Sequence, residues 1–196
     1  TIYNKGQENR NMMNKILKAA AAVLICLSCF GCSTAETKQD IKYENPQMLL
    51  SDAWNKMNSP EKPSITGGFG ENMVQDAPMA VGLSDPSGLS VMYNVPKEII
   101  DQSSAGATMM NAMLSNLFTA SAWQLKDPAR MTDLARQARQ YLEAAHWLDG
   151  VPECYAVLAN DKDLIVAYGT KTVTDDFSKS LRAVDPSCKI LYTGAL

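Results

Sequence analysis

The sequence predicts an α+β domain, an antiparallel sheet with helices packed on one face, carried behind an N-terminal export signal. Three observations carry that prediction. Residues 127–148 repeat apolar side chains at helical spacing, and residues 154–159 and 164–169 are short apolar runs around the turn-rich tetrad Asn160-Asp161-Lys162-Asp163. Residues 19–31 form an uncharged run of 13, short of the roughly 20 residues that cross a bilayer's hydrocarbon core.

Lys15 and Lys18 lead into the apolar residues 16–30, which end on Gly31 and Cys32. That is the order of a secretory signal: a positive n-region, an apolar h-region and small residues at the cut. The FGCST segment, residues 30–34, resembles the lipobox of bacterial lipoprotein precursors, in which a small residue precedes an acylated cysteine that becomes the mature N-terminus. The resemblance implies lipid attachment at Cys32, a palmitate-bearing anchor, and a place at the cell membrane facing the extracytoplasmic side. Lipoboxes usually carry Leu three residues before the cysteine. Cys29 occupies that position here and, following Leu27 and Ser28, is the alternative anchor. The signal peptide is thus residues 12–32, with Met12 or Met13 as the start. Residues 1–11 fit no part of it and read as an untranslated or non-native leader.

The first 32 residues hold four basic residues and one acidic one, which leaves 14 Lys+Arg against 20 Asp+Glu, a net charge of −6. A nucleic-acid partner calls for a basic face, which this balance does not supply, so none is expected. Three of the five cysteines fall within the signal; Cys154 and Cys188 remain, and they share no metal-binding spacing. With His146 the one histidine, no metal or cofactor is expected.

Residues 33–45 are polar and read as a flexible tether, followed by a single domain over residues 46–196. Asn45-Pro46 caps a short helix over residues 47–57 that carries Leu49, Ala53 and Trp54. Gly67, Gly68 and Gly70 read as a loop, since no βαβ context supports phosphate binding. Asp85-Pro86-Ser87-Gly88 predicts a turn between short strands at residues 78–83 and 89–95, and Pro96 opens a helical turn to Asp101. Residues 105–125 would also fit one helical face, but Ser115-Asn116 argues for a hairpin, with Leu117, Thr119, Ser121, Trp123 and Leu125 on one face of its second strand.

Asp127-Pro128 starts the long helix, with Leu134, Ala138, Tyr141, Leu142 and Leu148 in its apolar stripe and Gly150 and Pro152 ending it. His146 would sit in its last turn, where the helix dipole favours a protonated imidazole. The acids of residues 160–163 read as turn chemistry, lacking the calcium-loop pattern. A helix from Thr174 to Ala183 and a last strand over residues 189–192 complete the chain. From residue 117 onward the element order resembles the ferredoxin-like split βαβ, which predicts Cys154 and Cys188 on strands at opposite edges and therefore unbridged.

The stretches YNVP, LFTASAWQLKD and VPECYAVLANDKDLIVAYG resemble a family of predicted lipoproteins of unknown function from Gram-positive anaerobes. The resemblance implies location and fold and carries over no catalytic residue. It departs at Ser121-Ala122, where an acidic residue is expected, and at Lys162-Asp163, where a glycine is. The expected function is an anchored module that binds an envelope component or a protein partner, with no catalytic residue assigned. The alternatives are a carboxylate-based envelope hydrolase and a structural or assembly lipoprotein. Hydrolysis by two acids leaves no local signature among 20 acidic residues.

Overall fold

The computed structural model describes residues 43–148 and 150–196; the signal, Cys29, Cys32 and all of the tether before Tyr43 lie outside the described residues. Among the described residues the fold is α+β, an eight-stranded sheet in which every pairing is antiparallel, with five α-helices.

The helix of residues Pro46–Lys56 (α1) begins where the sequence predicts. The Asn45 side chain accepts the Met48 N–H at 3.0 Å, and Pro46 fills the first turn. Tyr43, within the predicted tether, is already part of the domain: it is buried, and its hydroxyl donates to Asp52 Oδ2 at 3.0 Å. Three short strands follow, Ile65–Gly67 (β1), Val74–Gln75 (β2) and Met79–Val81 (β3).

Residues 89–95 are not the strand the sequence suggested. Asp85 accepts the Gly88 N–H at 2.9 Å and caps a helix over Pro86–Tyr93 (α2), so the Asp-Pro pair starts a helix rather than closing a turn. Lys97–Asp101 (α3) leads into Ser103–Asn111 (β4), and the predicted hairpin carries the chain to Phe118–Leu125 (β5). The long helix, Met131–Glu143 (α4), follows a 3-10 turn opened by Asp127. It ends five residues before Leu148, which is 95% exposed, and His146 lies in the following loop rather than in the last turn. Cys154–Ala159 (β6) and Asp163–Gly169 (β7) form the predicted hairpin, and Lys171–Val184 (α5) leads to Lys189–Ala195 (β8).

The strand order is β2-β1-β4-β5-β7-β6-β8, with β3 also on β4. β4 holds the edge of β5 that a ferredoxin-like order gives to the last strand, and β8 pairs with β6 instead. Helices cover both faces, not one. On the first face α1 and α5 pack on Ala107, Met109, Phe118, Ala120, Ala122, Ala156, Ile165 and Ala167. On the second, α2, α3 and α4 pack on Trp123, Leu125, Tyr155, Val157, Leu164, Val166 and Tyr168. Successive strand residues point to opposite faces, so the unbroken apolar runs CYAVLA and LIVAYG are what a strand buried on both sides requires.

Candidate functional site

The chain joins the domain at one end of the sheet. Glu44 O accepts hydrogen bonds there from Gln124 Nε2 (3.4 Å) and Lys162 Nζ (3.2 Å), at the last turn of β5 and the β6–β7 turn. At the opposite end, above the second face, a groove of about 480 Å³ opens between the C-terminal ends of α2 and α4 and the β4–β5 connection.

Each wall has a local cause. α2 stops at Asn94, whose φ of 47° is one that asparagine tolerates, and Ser90 Oγ donates to Val95 O at 2.7 Å to fix the exit. Asn94 Nδ2 donates to the Tyr168 hydroxyl at 3.4 Å. After α4 the chain turns inward, and the Trp147 ring packs on Tyr168 with centroids 5.0 Å apart. Asn116 Nδ2 donates to Gly150 O at 3.3 Å and ties this loop to the β4–β5 connection. The rim carries exposed apolar side chains: among the lining residues Val91 is 76% exposed and Leu148 95%, and Met113 and Val151, close by in sequence, also face water. Clustered apolar side chains of this kind mark contact surfaces.

Among the described residues the groove brings together no catalytic set. His146 is exposed, and its Nδ1 lies 3.4 Å from Ala144 O. Both helices present C-terminal carbonyls here, the weakly negative end of the dipole, which favours donor groups on a ligand.

Two acids do converge, at the other end of the sheet. Asn160 Nδ2 donates to Asp163 Oδ2 (3.1 Å) and Asp185 Oδ2 (3.0 Å), pinning the β6–β7 turn to the α5–β8 turn. Burial holds the Asp163 carboxyl above the usual carboxylate range. Burial also pushes Asp185 up, but hydrogen bonds from Ser187 and Asn160 outweigh it and leave that carboxyl below its ordinary value. Asp163 is fully buried and neither acid lines either of the two grooves found among the described residues, so this pair fits a structural clasp.

Cys154 and Cys188 are unbridged, though not for the predicted reason. Their strands are neighbours, but Cys154 pairs with Ala195 and Ala159 with Lys189, so the two cysteines sit at opposite ends. At least five strand steps, about 17 Å or more, separate them, far beyond the ~7 Å that a disulfide spans between Cα atoms. Burial raises both thiol pKa values, as expected of inert cysteines. The lipid-attachment candidates Cys32 and Cys29 lie outside the described residues. Among those residues no helix is long and apolar enough to cross a membrane, and no cluster of three or more His, Cys, Asp or Glu could hold a metal.

Comparison of the chain with family models, curated proteins and solved structures finds no match. Sequence reasoning missed the groove because its walls come from three separate segments. The local signal available was HWLDGV, residues 146–151, where large apolar residues share a stretch with turn formers.

Proposed function

We propose that this chain is an exported lipoprotein, anchored through Cys32, whose domain binds a protein, peptide or envelope component. Its likeness to predicted lipoproteins of Gram-positive anaerobes belongs to the same proposal. One observation carries the binding part: an apolar-rimmed groove at the end of the sheet opposite Glu44, where the chain joins. A β5 strand of eight residues puts about 24 Å between the Glu44 end of the sheet and the groove. The exposed Leu148 and Val91 offer contact area, and Asn94, Asn116 and Tyr141 offer orientation.

The test pairs anchor and groove. Palmitate labelling of the wild type should be lost in Cys32→Ala; labelling that persists moves the anchor to Cys29. Pull-downs from envelope extracts should recover a partner that Leu148→Glu loses, while the melting temperature stays unchanged because Leu148 is exposed. Turnover of peptidoglycan, polysaccharide or ester substrates, abolished by a single Asp→Asn or Glu→Gln change in a folded protein, would replace binding with hydrolysis.

A further inference from the structure

Apart from the groove, the described residues leave one open sheet edge of substantial length. β8 runs for seven residues, Lys189–Ala195, pairs among the described residues only with β6, and carries a single charge at its start. The opposite edge is made of strands of two and three residues, too short to template another chain. Alternate residues of an edge strand turn their N–H and C=O groups outward, where only water or an added strand meets them.

The side chains beside this edge are also uncovered. On the first face α5 lies over β6 and β7 and leaves β8 bare, so Ile190 is 43% exposed. A groove of about 420 Å³ runs between helix and strand, with Ala156, Ile190 and Thr193 as its floor and Ser178, Lys179 and Arg182 on its helical wall. Its charge is one-sided. Asp175, the acid on that wall, is held by Lys171 at 2.6 Å, whereas Lys179 and Arg182 have no acidic partner among the described residues. These two side chains are three residues apart, about 4.5 Å along the helix, and alternate residues of a strand are about 6.7 Å apart, a difference that long side chains span.

We propose that β8 and α5 form a docking groove for an extended peptide that adds to the sheet as a ninth strand. Its acidic side chains turn to the first face and reach across Ile190 and Thr193 to Lys179 and Arg182, and the alternate, apolar ones turn to the second face beside Tyr192. Main-chain hydrogen bonds supply the affinity and the alternating side chains the selectivity. The strand's own irregularity decides between this occupant and a second copy. Leu158 pairs with Ile190 and Val157 with Tyr192, so Leu191 is an extra, bulged residue. The bulge leaves only Tyr192 to Ala195 as regular edge, which suits a short peptide. Pairing two copies edge to edge would also bring two basic grooves together, and like charges oppose that.

The test uses the full chain and a fluorescent synthetic peptide of about six residues, alternating Glu and Val. Controls are the matching Lys/Val peptide and a Glu/Val peptide N-methylated at alternate amides. Saturable binding is expected for the first peptide alone. In the double variant Lys179→Glu, Arg182→Glu that affinity should fall by about tenfold or more, and the Lys/Val peptide should gain binding. Both positions are exposed, so the variant's melting temperature should match wild type. Amide chemical-shift changes should be confined to residues 171–195. The proposal is overturned by no binding up to about 1 mM, by equal affinity in wild type and double variant, by binding that survives N-methylation, or by shifts centred on residues 141–151.

Discussion

The two faces of the sheet are built from different materials. The face under α1 and α5 receives five alanines from the sheet, Ala107, Ala120, Ala122, Ala156 and Ala167, among Met109, Phe118, Leu158 and Ile165, and its other large rings, Trp54 and Phe177, come from the helices. Trp54 stacks on Phe118 at 5.7 Å, and Phe177 meets the same ring edge-on at 5.5 Å. The face under α2, α3 and α4 receives Trp123, Tyr155 and Tyr168 from the sheet, interleaved with Thr108, Thr119 and Ser121. Those large side chains carry polar tips, and each tip needs a partner: Trp123 Nε1 donates to Ser121 Oγ at 2.9 Å, and the Tyr155 hydroxyl donates to Glu143 at 2.7 Å. Gly106 makes room for the Trp123 ring, since a Cβ there would lie 2.6 Å from it. Small sheet residues let helices settle onto one face as a dry layer. Large, polar-tipped ones commit the other to hydrogen bonding, and the groove at the end of the sheet opens on that side.

If the first face is a dry aromatic layer, its largest single liability is Phe118. Truncation to alanine removes the ring that both Trp54 and Phe177 contact, and the methyl groups of the alanines on this face are too short to fill the gap. Phe118→Ala should destabilise the fold by about 3–5 kcal/mol, read from the shift of the urea midpoint at unchanged m-value. A loss below about 1 kcal/mol would mean that the layer repacks freely and the contrast between faces is overstated.

Much of the fold was legible because its starting signals are local. Asn45-Pro46 and Asp127-Pro128 cap helices through contacts within three residues, and Asn160 Oδ1 accepts the N–H groups of Lys162 and Asp163 to close the β6–β7 turn. The same Asp-Pro chemistry at Asp85-Pro86 was read as a turn, because glycine and serine follow it and the apolar run behind it is short enough for a strand. The end of α4 was missed because nothing from Ala144 to Leu148 breaks a helix; the chain leaves it to lay Trp147 on Tyr168, a contact made across the fold. Helices on both faces were foreshadowed by CYAVLA and LIVAYG, which do not alternate. The choice of partner for β8 has no local signature, since β5 and β6 are both strands buried along almost their whole length. The groove and the open edge inherit that blindness, being products of pairing.

The second face predicts smaller but more specific losses. The Tyr168 hydroxyl accepts from Asn94 Nδ2 at 3.4 Å and is hydrogen-bonded to Thr119, and burial raises its pKa. Tyr168→Phe keeps the ring and its Trp147 contact but strands those partners. The expected cost is about 0.5–1.5 kcal/mol, accompanied by a weaker hold on Asn94 at the groove wall. Amide exchange at Asn94 and Trp147 should quicken more than at Phe118; equal change on both faces would remove the distinction.

Asp163 sharpens the comparison from the dry side, because it is the carboxylate that the first face tolerates. It pairs across the sheet with Gln124 and so points the same way as Ala122 and Phe118. Its Oδ2 accepts from Asn160, while its Oδ1 has no hydrogen bond of good geometry, although Gln124 lies alongside. Burial therefore disfavours the charged form and raises the folded-state pKa above the ordinary value of 3.8. The sign follows from proton linkage: between that ordinary value and the raised one, the folded state binds more protons than the unfolded state. This residue's contribution to stability is then largest below the ordinary pKa and declines as pH rises through the folded-state value. Asp163→Asn removes the titration while keeping an acceptor for Asn160. The stability difference between wild type and Asp163→Asn, from urea titrations at a series of pH values between neutrality and the carboxylate range, should move in the wild type's favour on acidification. Asp185, with its pKa below the ordinary value, loses stabilising interactions over the acidic part of the range and is coupled to Asp163 through Asn160, so the same difference is also taken in an Asp185→Asn background, where the trend should persist. A flat difference, or one that moves against the wild type at low pH, would show Asp163 to be solvated and the first face to be less dry than its alanines imply.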